Sequence, residues 1–277
     1  MNKRLFLIFH GRFPSEKAAS LFAAKSAEAF ASAGLQITLI VPKRKGLVHD
    51  DPYVYYGVKN NFDIVYIPII DLFLSKIFLP MAFLKSYISF SWGVRRYIKK
   101  NSAVGDSIYS NEILPLVFVS GMRQNCFYEM HDFPESKLGL FGWALGRMKW
   151  ILVHNKWKLD EAKKLFPHIS PDKFLYEANA VDIQAFNIPL SKEDARKKLS
   201  LPLLNKIAVY TGHLYGWKGV NTLAEASQFL PDDFLTVFVG GTKEDIEIFK
   251  NNYGSFKNIS IIGHVNHSEI PLWQKAA

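Results

Sequence analysis

The sequence is poor in cysteine and lacks a long apolar run near its start. Cys126 is the single cysteine among 277 residues, so neither a disulfide framework nor a cysteine-based metal site can be built. The apolar stretch in the first ten residues is too short for the core of a signal peptide. These absences favour a reducing, cytoplasmic setting.

Several catalytic motifs are also missing from the sequence. There is no G-x-S-x-G elbow, no P-loop, no H-E-x-x-H and no G-x-G-x-x-G fingerprint, which argues against a hydrolase, a P-loop NTPase, a zinc protease and an NAD-dependent dehydrogenase. His264 and His267 have no third ligand near them in the sequence. We therefore expect no metal site.

What the sequence has in excess is positive charge. The formal net charge of +9 indicates an anionic partner, such as a nucleotide sugar, a lipid headgroup surface or a nucleic acid. The basic residues are scattered among aliphatic strands and follow none of the spacings of nucleic-acid-binding motifs. We therefore expect no nucleic-acid partner.

The first half of the chain alternates between strand and helix patterns. A β-rich run at 4–9 is followed by a helical pattern that starts near Pro14 and Ser15 and stops at Gly34, and a second strand follows at 35–42. Such a β-α-β unit takes a right-handed crossover and implies a parallel sheet. Further strands at 63–68, 106–110, 126–130 and 150–154 predict a sheet of about six strands.

A second series of strands follows a charged helical segment. Strands are predicted at 207–211, 235–241 and 259–265, after a hinge near 180–195. The prediction is an α/β protein with a first domain at 1–185 and a second at 186–277. Because a doubly wound domain normally has five or six strands, we expect the second domain to be incomplete.

Residues 72–100 form the most unusual segment. It is rich in aromatic and aliphatic residues and contains six basic residues and no acidic one, while Lys76, Pro80 and Lys85 interrupt every run that could span a membrane. One interpretation, which we favour, is a helix that packs on the sheet and has a basic outer end. The other is an amphipathic helix that lies on anionic lipid.

Two groups of residues have the placement expected of a ligand site. Gly212, His213, Lys218 and Gly219 lie on a turn between a strand and a helix, where Lys218 is expected to contact phosphate and His213 either to contact phosphate or to cap the turn. His131 and Asp132 follow a strand at its carboxyl end, where parallel sheets bind ligands. Asp132 and Glu129 fit either a functional role or a structural polar network.

The remaining candidates have structural alternatives. The segment Ser15, Glu16 and Lys17 begins the first helix and could bind an acceptor or phosphate through its amides, although an N-cap role alone explains Ser15. Gly240 and Gly241 end a strand and suit either a ligand or a plain turn. Trp217 is expected to be a packing residue.

Six stretches of the sequence resemble, in order, the motifs of retaining glycosyltransferases of family 4. GHLYGWKG (212–219) is similar to the family's G-[RH]-L-x-x-x-K-G turn. The other five are FPSEKAAS (13–20), YEMHDFPES (128–136), the pair HNKWKLDEAKKLF (154–166) and NAVDIQAF (179–186), VGGTKEDIE (239–247) and GHVNHSEIPLWQKA (263–276). They cover essentially the whole chain.

The resemblance implies a GT-B arrangement of two Rossmann-like domains with parallel sheets and helices on both faces. It implies transfer of a hexose from a nucleotide diphosphate sugar to a cell-surface glycan or lipid-linked acceptor, with retention of configuration and with neither cofactor nor metal. In that family His131 would contact the transferred sugar, Lys218 and His213 the diphosphate, and Ser15 to Lys17 the acceptor side. The nucleotide base and ribose would be lined by Gly240, Gly241, His264 and Val265.

Two departures from the family pattern keep other interpretations open. The diphosphate-binding arginine is replaced by His213, and the E-x7-E pair that follows in the family is absent from the sequence. We therefore expect a C-terminally truncated chain. The alternatives are a non-catalytic fragment or binding subunit, and a GT-B-like nucleotide-sugar epimerase. The expected location is the cytoplasm, with or without peripheral contact to the inner face of the membrane.

Overall fold

The computed structural model of the chain describes residues 3–44, 48–70, 79–122, 125–133 and 138–277. Their contacts divide the chain into two compact units, Met1–Asn179 and Ala180–Ala277. Each unit contains one parallel sheet with helices packed on it.

In the described part of the first unit, seven strands form one parallel sheet. The strands are β1 (Arg4–Ile8), β2 (Gln36–Lys43), β3 (Asp63–Pro68), β4 (Ser107–Ser110), β5 (Asn125–Met130), β6 (Trp150–Val153) and β7 (Phe174–Tyr176). Their order across the sheet is β3-β2-β1-β4-β5-β6-β7. The sequence did not predict β7, because three residues are too few to show a strand pattern.

Helices cover both faces of this sheet. They are α1 (Ala18–Ser32), α2 (Pro52–Tyr56), α3 (Leu79–Asn101), α4 (Ile113–Val119), α5 (Leu138–Gly146) and α6 (Lys156–Leu165). Alternate side chains of β1 enter two different cores: Phe6 and Ile8 pack with α3, whereas Leu5 and Leu7 pack with α1. A strand buried on both faces explains the unbroken apolar run at the start of the sequence.

The start of α1 differs from the sequence prediction. The helix begins at Ala18 with Lys17 as its N-cap, so Ser15 is not the cap. Ser15 is buried instead: its N–H donates to Tyr56 Oη at 2.7 Å, and its Oγ shares a hydrogen bond of 2.7 Å with Ser20 Oγ. Its Oγ also accepts a long hydrogen bond of 3.4 Å from the N–H of Lys17, so Ser15 links α2 to the first turn of α1 without being the N-cap residue.

Helix α3 packs on the sheet and also has an apolar outer face. Ala82, Phe90, Val94 and Ile98 are buried in the core, as expected for a packing helix. An exposed apolar stripe runs along the opposite side, formed by Met81, Leu84, Ile88 and Trp92. Residues 72–78 of the predicted amphipathic segment lie outside the described residues. No helix in the described ranges is long and apolar enough to cross a membrane.

The second unit contains a parallel sheet of three described strands in the order β10-β9-β8. The strands are β8 (Lys206–Thr211), β9 (Phe234–Val239) and β10 (Ile259–Gly263), and the helices are α7 (Ile183–Phe186), α8 (Lys192–Lys198), α9 (Val220–Ser227), α10 (Lys243–Tyr253) and α11 (Ile270–Ala276). Phe238 packs on one face of the sheet, and Val237 and Val239 pack on the other. All three predicted strands are therefore present.

Candidate functional site

In the first unit, polar side chains collect at the carboxyl edge of the sheet. His10 lies just past β1, Glu112 past β4, His131 past β5 and His154 past β6. Since these strands are parallel, their carboxyl ends lie at one edge, which is where ligands bind in open α/β sheets. The fold therefore places His131 where the sequence predicted, and it adds three further polar groups to the same edge.

Glu129 is the centre of the tightest polar cluster at this edge. Its carboxylate is almost fully buried, with only 4% of the residue exposed. Oε1 lies 3.0 Å from Nε2 of His154 and 3.4 Å from Nε2 of His131. The outer ring nitrogen of His154, Nδ1, lies 3.1 Å from the main-chain oxygen of Glu177. Two histidines from neighbouring strands thus face one buried carboxylate.

The charge of this carboxylate is maintained by its neighbours. Burial by itself would raise the pKa of Glu129, but close contact with His131 and Tyr109 and the charges of His131 and His154 outweigh burial, so the pKa is lowered overall. Burial, followed by the negative charge of Glu129, raises the pKa of Tyr109. Glu129 is therefore an ionised carboxylate near neutral pH.

A second polar cluster lies between α3 and the sheet edge. Tyr87 Oη donates a hydrogen bond of 2.6 Å to Glu112 Oε2. Burial raises the pKa of Glu112 above its ordinary value; Asp132 acts in the same direction, whereas Tyr87, Arg44 and His131 act against it. Asp132, which is exposed, therefore lies within electrostatic reach of Glu112.

His10 in this second cluster is buried and neutral. Arg44 Nη2 donates to Nε2 of His10 at 2.9 Å and also donates to Ser86 Oγ at 2.7 Å. The imidazole lies among the rings of Phe83, Tyr87 and Phe90, only 3% of the residue being exposed. Burial, followed by the charge of Arg44, lowers the pKa of His10 to about 3.

In the second unit, glycine turns converge at the carboxyl edge of the three-stranded sheet. The N–H of Gly212 donates to Val239 O at 2.9 Å, and the N–H of Gly240 donates to Gly263 O at 2.7 Å. A Cβ added at Gly240, which has a φ of 120°, would lie 2.2 Å from Gly212 O. Only glycine allows this approach of two main chains. The edge is therefore a half-buried, side-chain-free stretch of backbone at the carboxyl ends of the strands, bordered by the exposed turn that carries Lys218.

Lys218 and an aromatic ladder border this glycine edge. His213 and Tyr215 stack with their ring centroids 4.9 Å apart, and Tyr215 and Trp217 stack at 6.1 Å. The amino group of Lys218 lies 5.9 Å from the centroid of Tyr215 and 5.4 Å from that of Trp217. Trp217 is 81% exposed, so the expectation that it packs in a core is wrong. Exposed aromatic faces beside a lysine form a surface suited to stacking.

The other candidates of this unit are placed unevenly around the glycine edge. Gly241 is buried, and a Cβ there would lie 3.0 Å from Leu214 Cδ1. His264, just after β10, is exposed, whereas Val265 packs with the buried core that contains Trp273. In the first unit, Glu16 and Lys17 are exposed just before α1, and Phe22 of that helix contacts the ring of His131 edge-on at 5.1 Å.

Sequence analysis missed His10, Glu112 and His154 as members of the site. A pattern in the sequence could have indicated His154, because the strands predicted at 126–130 and 150–154 follow each other in a β-α-β series, and one is followed by a histidine while the other ends in one. The register pairs Met130 with Val153, which places the following residues, His131 and His154, side by side. His10 and Glu112 carry no comparable pattern.

Comparison with known proteins gives a local sequence match and a shared fold. No protein-family model matches the chain. A protein of Bacillus subtilis (strain 168) named as a teichuronic acid biosynthesis glycosyltransferase, TuaC, is 48% identical over 50 residues. That match spans 18% of this chain and only 13% of the other protein.

Two solved structures resemble the whole chain. Anabaena Alr3699/HepE in complex with UDP and glucose is 15% identical with a TM-score of 0.66, covering 100% of this chain and 73% of that one. The catalytic domain of starch synthase IV from Arabidopsis thaliana, bound to ADP and acarbose, is 13% identical with a TM-score of 0.71, covering 100% and 77%. The predicted fold class, with GT-B-type Rossmann-like units and parallel sheets, is confirmed.

Proposed function

We propose that the protein is a family 4 type glycosyltransferase that moves a hexose from a nucleotide diphosphate sugar to a cell-surface glycan or lipid-linked acceptor, with retention. The observation that carries this proposal is the glycine edge of the second unit, where Gly212 and Gly240 approach within van der Waals distance beside Lys218. The fold supports it, since nucleotides are bound in both structures described above.

The chemistry requires a positive environment for the departing diphosphate. When the sugar leaves, negative charge develops on the β-phosphate, and fixed donors aimed at that oxygen lower the barrier. Lys218 and the main-chain amides that open α9 after Gly219 supply such donors. With these groups at the phosphate, sugar transfer requires no metal there.

The carboxyl edge of the first sheet is proposed as the side where the sugar and the acceptor meet. His131 is ordered by Glu129 and by Phe22, and Lys158 donates a hydrogen bond to its main-chain oxygen. The position of His131 at the carboxyl end of β5 suits a contact with the transferred sugar. The exposed Glu16 and Lys17, before the helix that carries Phe22, are proposed to bind the acceptor.

Calorimetry of the purified chain with UDP, ADP and GDP tests the donor part of this proposal. We expect binding of one nucleotide per chain and a loss of about 10-fold or more in affinity for Lys218→Ala, because a charge-assisted hydrogen bond contributes roughly 1.5–3 kcal/mol. Lys250→Ala, an exposed lysine on α10, is the matched control. A folded chain that binds no nucleotide, or equal losses in both variants, would contradict the proposed donor site.

Incubation with labelled nucleotide sugars separates transfer from the alternatives. A transferase passes the label to an added glycan or lipid-linked acceptor, whereas an epimerase changes the nucleotide sugar without any acceptor. Binding without either reaction would identify the chain as a non-catalytic fragment. Retention is then read from the anomeric configuration of the product.

We also propose that the exposed stripe of α3 places the protein on anionic lipid. Met81, Leu84, Ile88 and Trp92 form one exposed face, and the helix carries no acidic residue but has Lys85, Arg96, Lys99 and Lys100 exposed. Apolar burial combined with basic side chains favours binding at a negatively charged membrane surface.

Sedimentation with phosphatidylglycerol vesicles tests this membrane contact. We expect Leu84→Asp to reduce the bound fraction strongly, and Leu204→Asp, at another fully exposed leucine, to leave it unchanged. Phosphatidylcholine vesicles should bind the chain weakly. Equal binding to both kinds of vesicle, or equal effects of both substitutions, would refute the proposal.

A further inference from the structure

We propose that Glu129, His131 and His154 bind a single divalent transition-metal ion, with Zn²⁺ as the best match to the donor set. From the sequence we expected no metal, so this site goes beyond the proposed function. The three side chains come from the ends of the adjacent strands β5 and β6, and their nearest donor atoms all lie within 4.8 Å of one another.

The spacing of the donor atoms fits one shared ion. Ligand atoms at about 2.0–2.1 Å from a tetrahedral Zn²⁺ are separated from one another by about 3.3 Å. The observed separations are 3.4 Å between Glu129 Oε1 and His131 Nε2, and 3.0 Å between Glu129 Oε1 and His154 Nε2. The third separation, between the ligand nitrogens of His131 and His154, is within 4.8 Å, so these two rings would turn toward each other on binding the ion.

The hydrogen bond of His154 leaves its other ring nitrogen facing the carboxylate. Its Nδ1 lies 3.1 Å from Glu177 O, and because a carbonyl oxygen only accepts, Nδ1 carries the proton. The other ring nitrogen, Nε2, faces the site and lies 3.0 Å from an oxygen of Glu129, so it is the atom placed to bind an ion. Metal-binding histidines commonly donate their outer N–H to a carbonyl in this way.

The unsatisfied atoms of the cluster support the same conclusion. Among the described residues, Glu129 Oε2 and the Nε2 atoms of His131 and His154 are buried and have no hydrogen-bond partner. The two Nε2 atoms lie near Glu129 Oε1 without the alignment that an N–H donor would need. Unpaired buried polar atoms are costly, and an ion would satisfy them together.

The donor types select the metal. Two imidazole nitrogens and one carboxylate oxygen suit Zn²⁺, which often takes three protein ligands and leaves a fourth position open. Magnesium prefers oxygen ligands and near-octahedral geometry, so it fits poorly. An ion at Nε2 would also fix the tautomer of His131, leaving its Nδ1 as an N–H donor. The ion therefore orders the histidine rather than replacing its proposed role at the sugar.

Metal content and metal binding of the purified chain test the proposal without any enzyme assay. After removal of metals with a chelator and dialysis, Zn²⁺ is titrated by calorimetry, and bound zinc is measured by mass spectrometry. We expect about one Zn²⁺ per chain in the wild type and an increase in its Tm on zinc addition. Affinity should fall by about 100-fold or more in Glu129→Gln and His154→Ala, because each loses a direct ligand.

His49→Ala is the matched control, since His49 is an exposed histidine elsewhere in the first unit, and it should bind zinc like the wild type. Circular dichroism shows whether each variant is folded; if Glu129→Gln is not, the more exposed His131→Ala provides the second test. Absence of stoichiometric zinc in the wild type, or unchanged affinity in the folded ligand variants, would overturn the site. Because the readout is zinc itself, failure of nucleotide binding would not affect this result.

Discussion

The buried imidazole of His10 makes the stability of the first unit depend on pH. The ring is 3% exposed, lies beside three aromatic rings and accepts a hydrogen bond from Arg44. Protonation would place a second positive charge beside the guanidinium and remove the lone pair that accepts its N–H. Burial and Arg44 accordingly lower the pKa of His10 from its ordinary value of 6.5 to about 3.

The sign and size of the effect follow from this shift. Below the ordinary pKa, the unfolded chain binds a proton at His10 and the folded chain does not, so stability rises with pH and is lost on acidification. The loss begins near pH 6.5 and continues to about pH 3. With these two pKa values, His10 accounts for about 2 kcal/mol of lost stability between about pH 7 and pH 5.

Urea unfolding of the wild type and of His10→Asn at the two pH values measures this contribution. The asparagine variant is less stable at both pH values, but its loss on acidification should be smaller than that of the wild type by about 2 kcal/mol. Burial raises the pKa of Glu112 and so acts in the opposite direction, but it is present in both proteins. His49→Asn, at an exposed histidine, should match the wild type. Equal losses in wild type and His10→Asn would refute the reasoning.

Two further substitutions test the packing of the second unit. Gly240→Ala places a Cβ 2.2 Å from Gly212 O at a φ of 120°, and we expect it to lower the free energy of unfolding by roughly 3 kcal/mol in urea. Gly216→Ala is the control: its Cβ would have its nearest contact at 3.4 Å, and it should lower that free energy by about 1 kcal/mol or less. Arg196 is buried and donates to three main-chain carbonyls at 2.7–2.9 Å, so Arg196→Met should lower the free energy of unfolding by about 3 kcal/mol. The exposed Lys197→Met is the control and should lower it by less than about 0.5 kcal/mol. If a variant and its control have the same thermal or urea midpoint, the contacts described for that glycine or arginine are contradicted.

The parallel α/β fold was predictable because its strands are buried on two faces. Strands such as β1 and β9 are almost entirely apolar, and the helical patterns between them require crossover connections that make the sheets parallel. What the sequence could not predict were features decided by tertiary contacts. Strand β7 has only three residues. Ser15 is held by Tyr56, which is 41 residues away, and by Ser20, while Lys17 is the N-cap.

The two candidate sites, one in each unit, differ in how much of them a sequence can reveal. The turn that carries Gly212 and Lys218 is one contiguous stretch, so local spacing was enough to predict the turn, whereas its approach to Gly240 depends on the order of the strands. The cluster around Glu129 depends on which strands are neighbours, since His131 and His154 are 23 residues apart and meet only through the register of β5 and β6. Spacing along the sequence does not reveal this register, whereas placing the two predicted strands side by side does. Polar residues that directly follow adjacent parallel strands should therefore be examined as pairs, because the sheet brings them together wherever they lie in the chain.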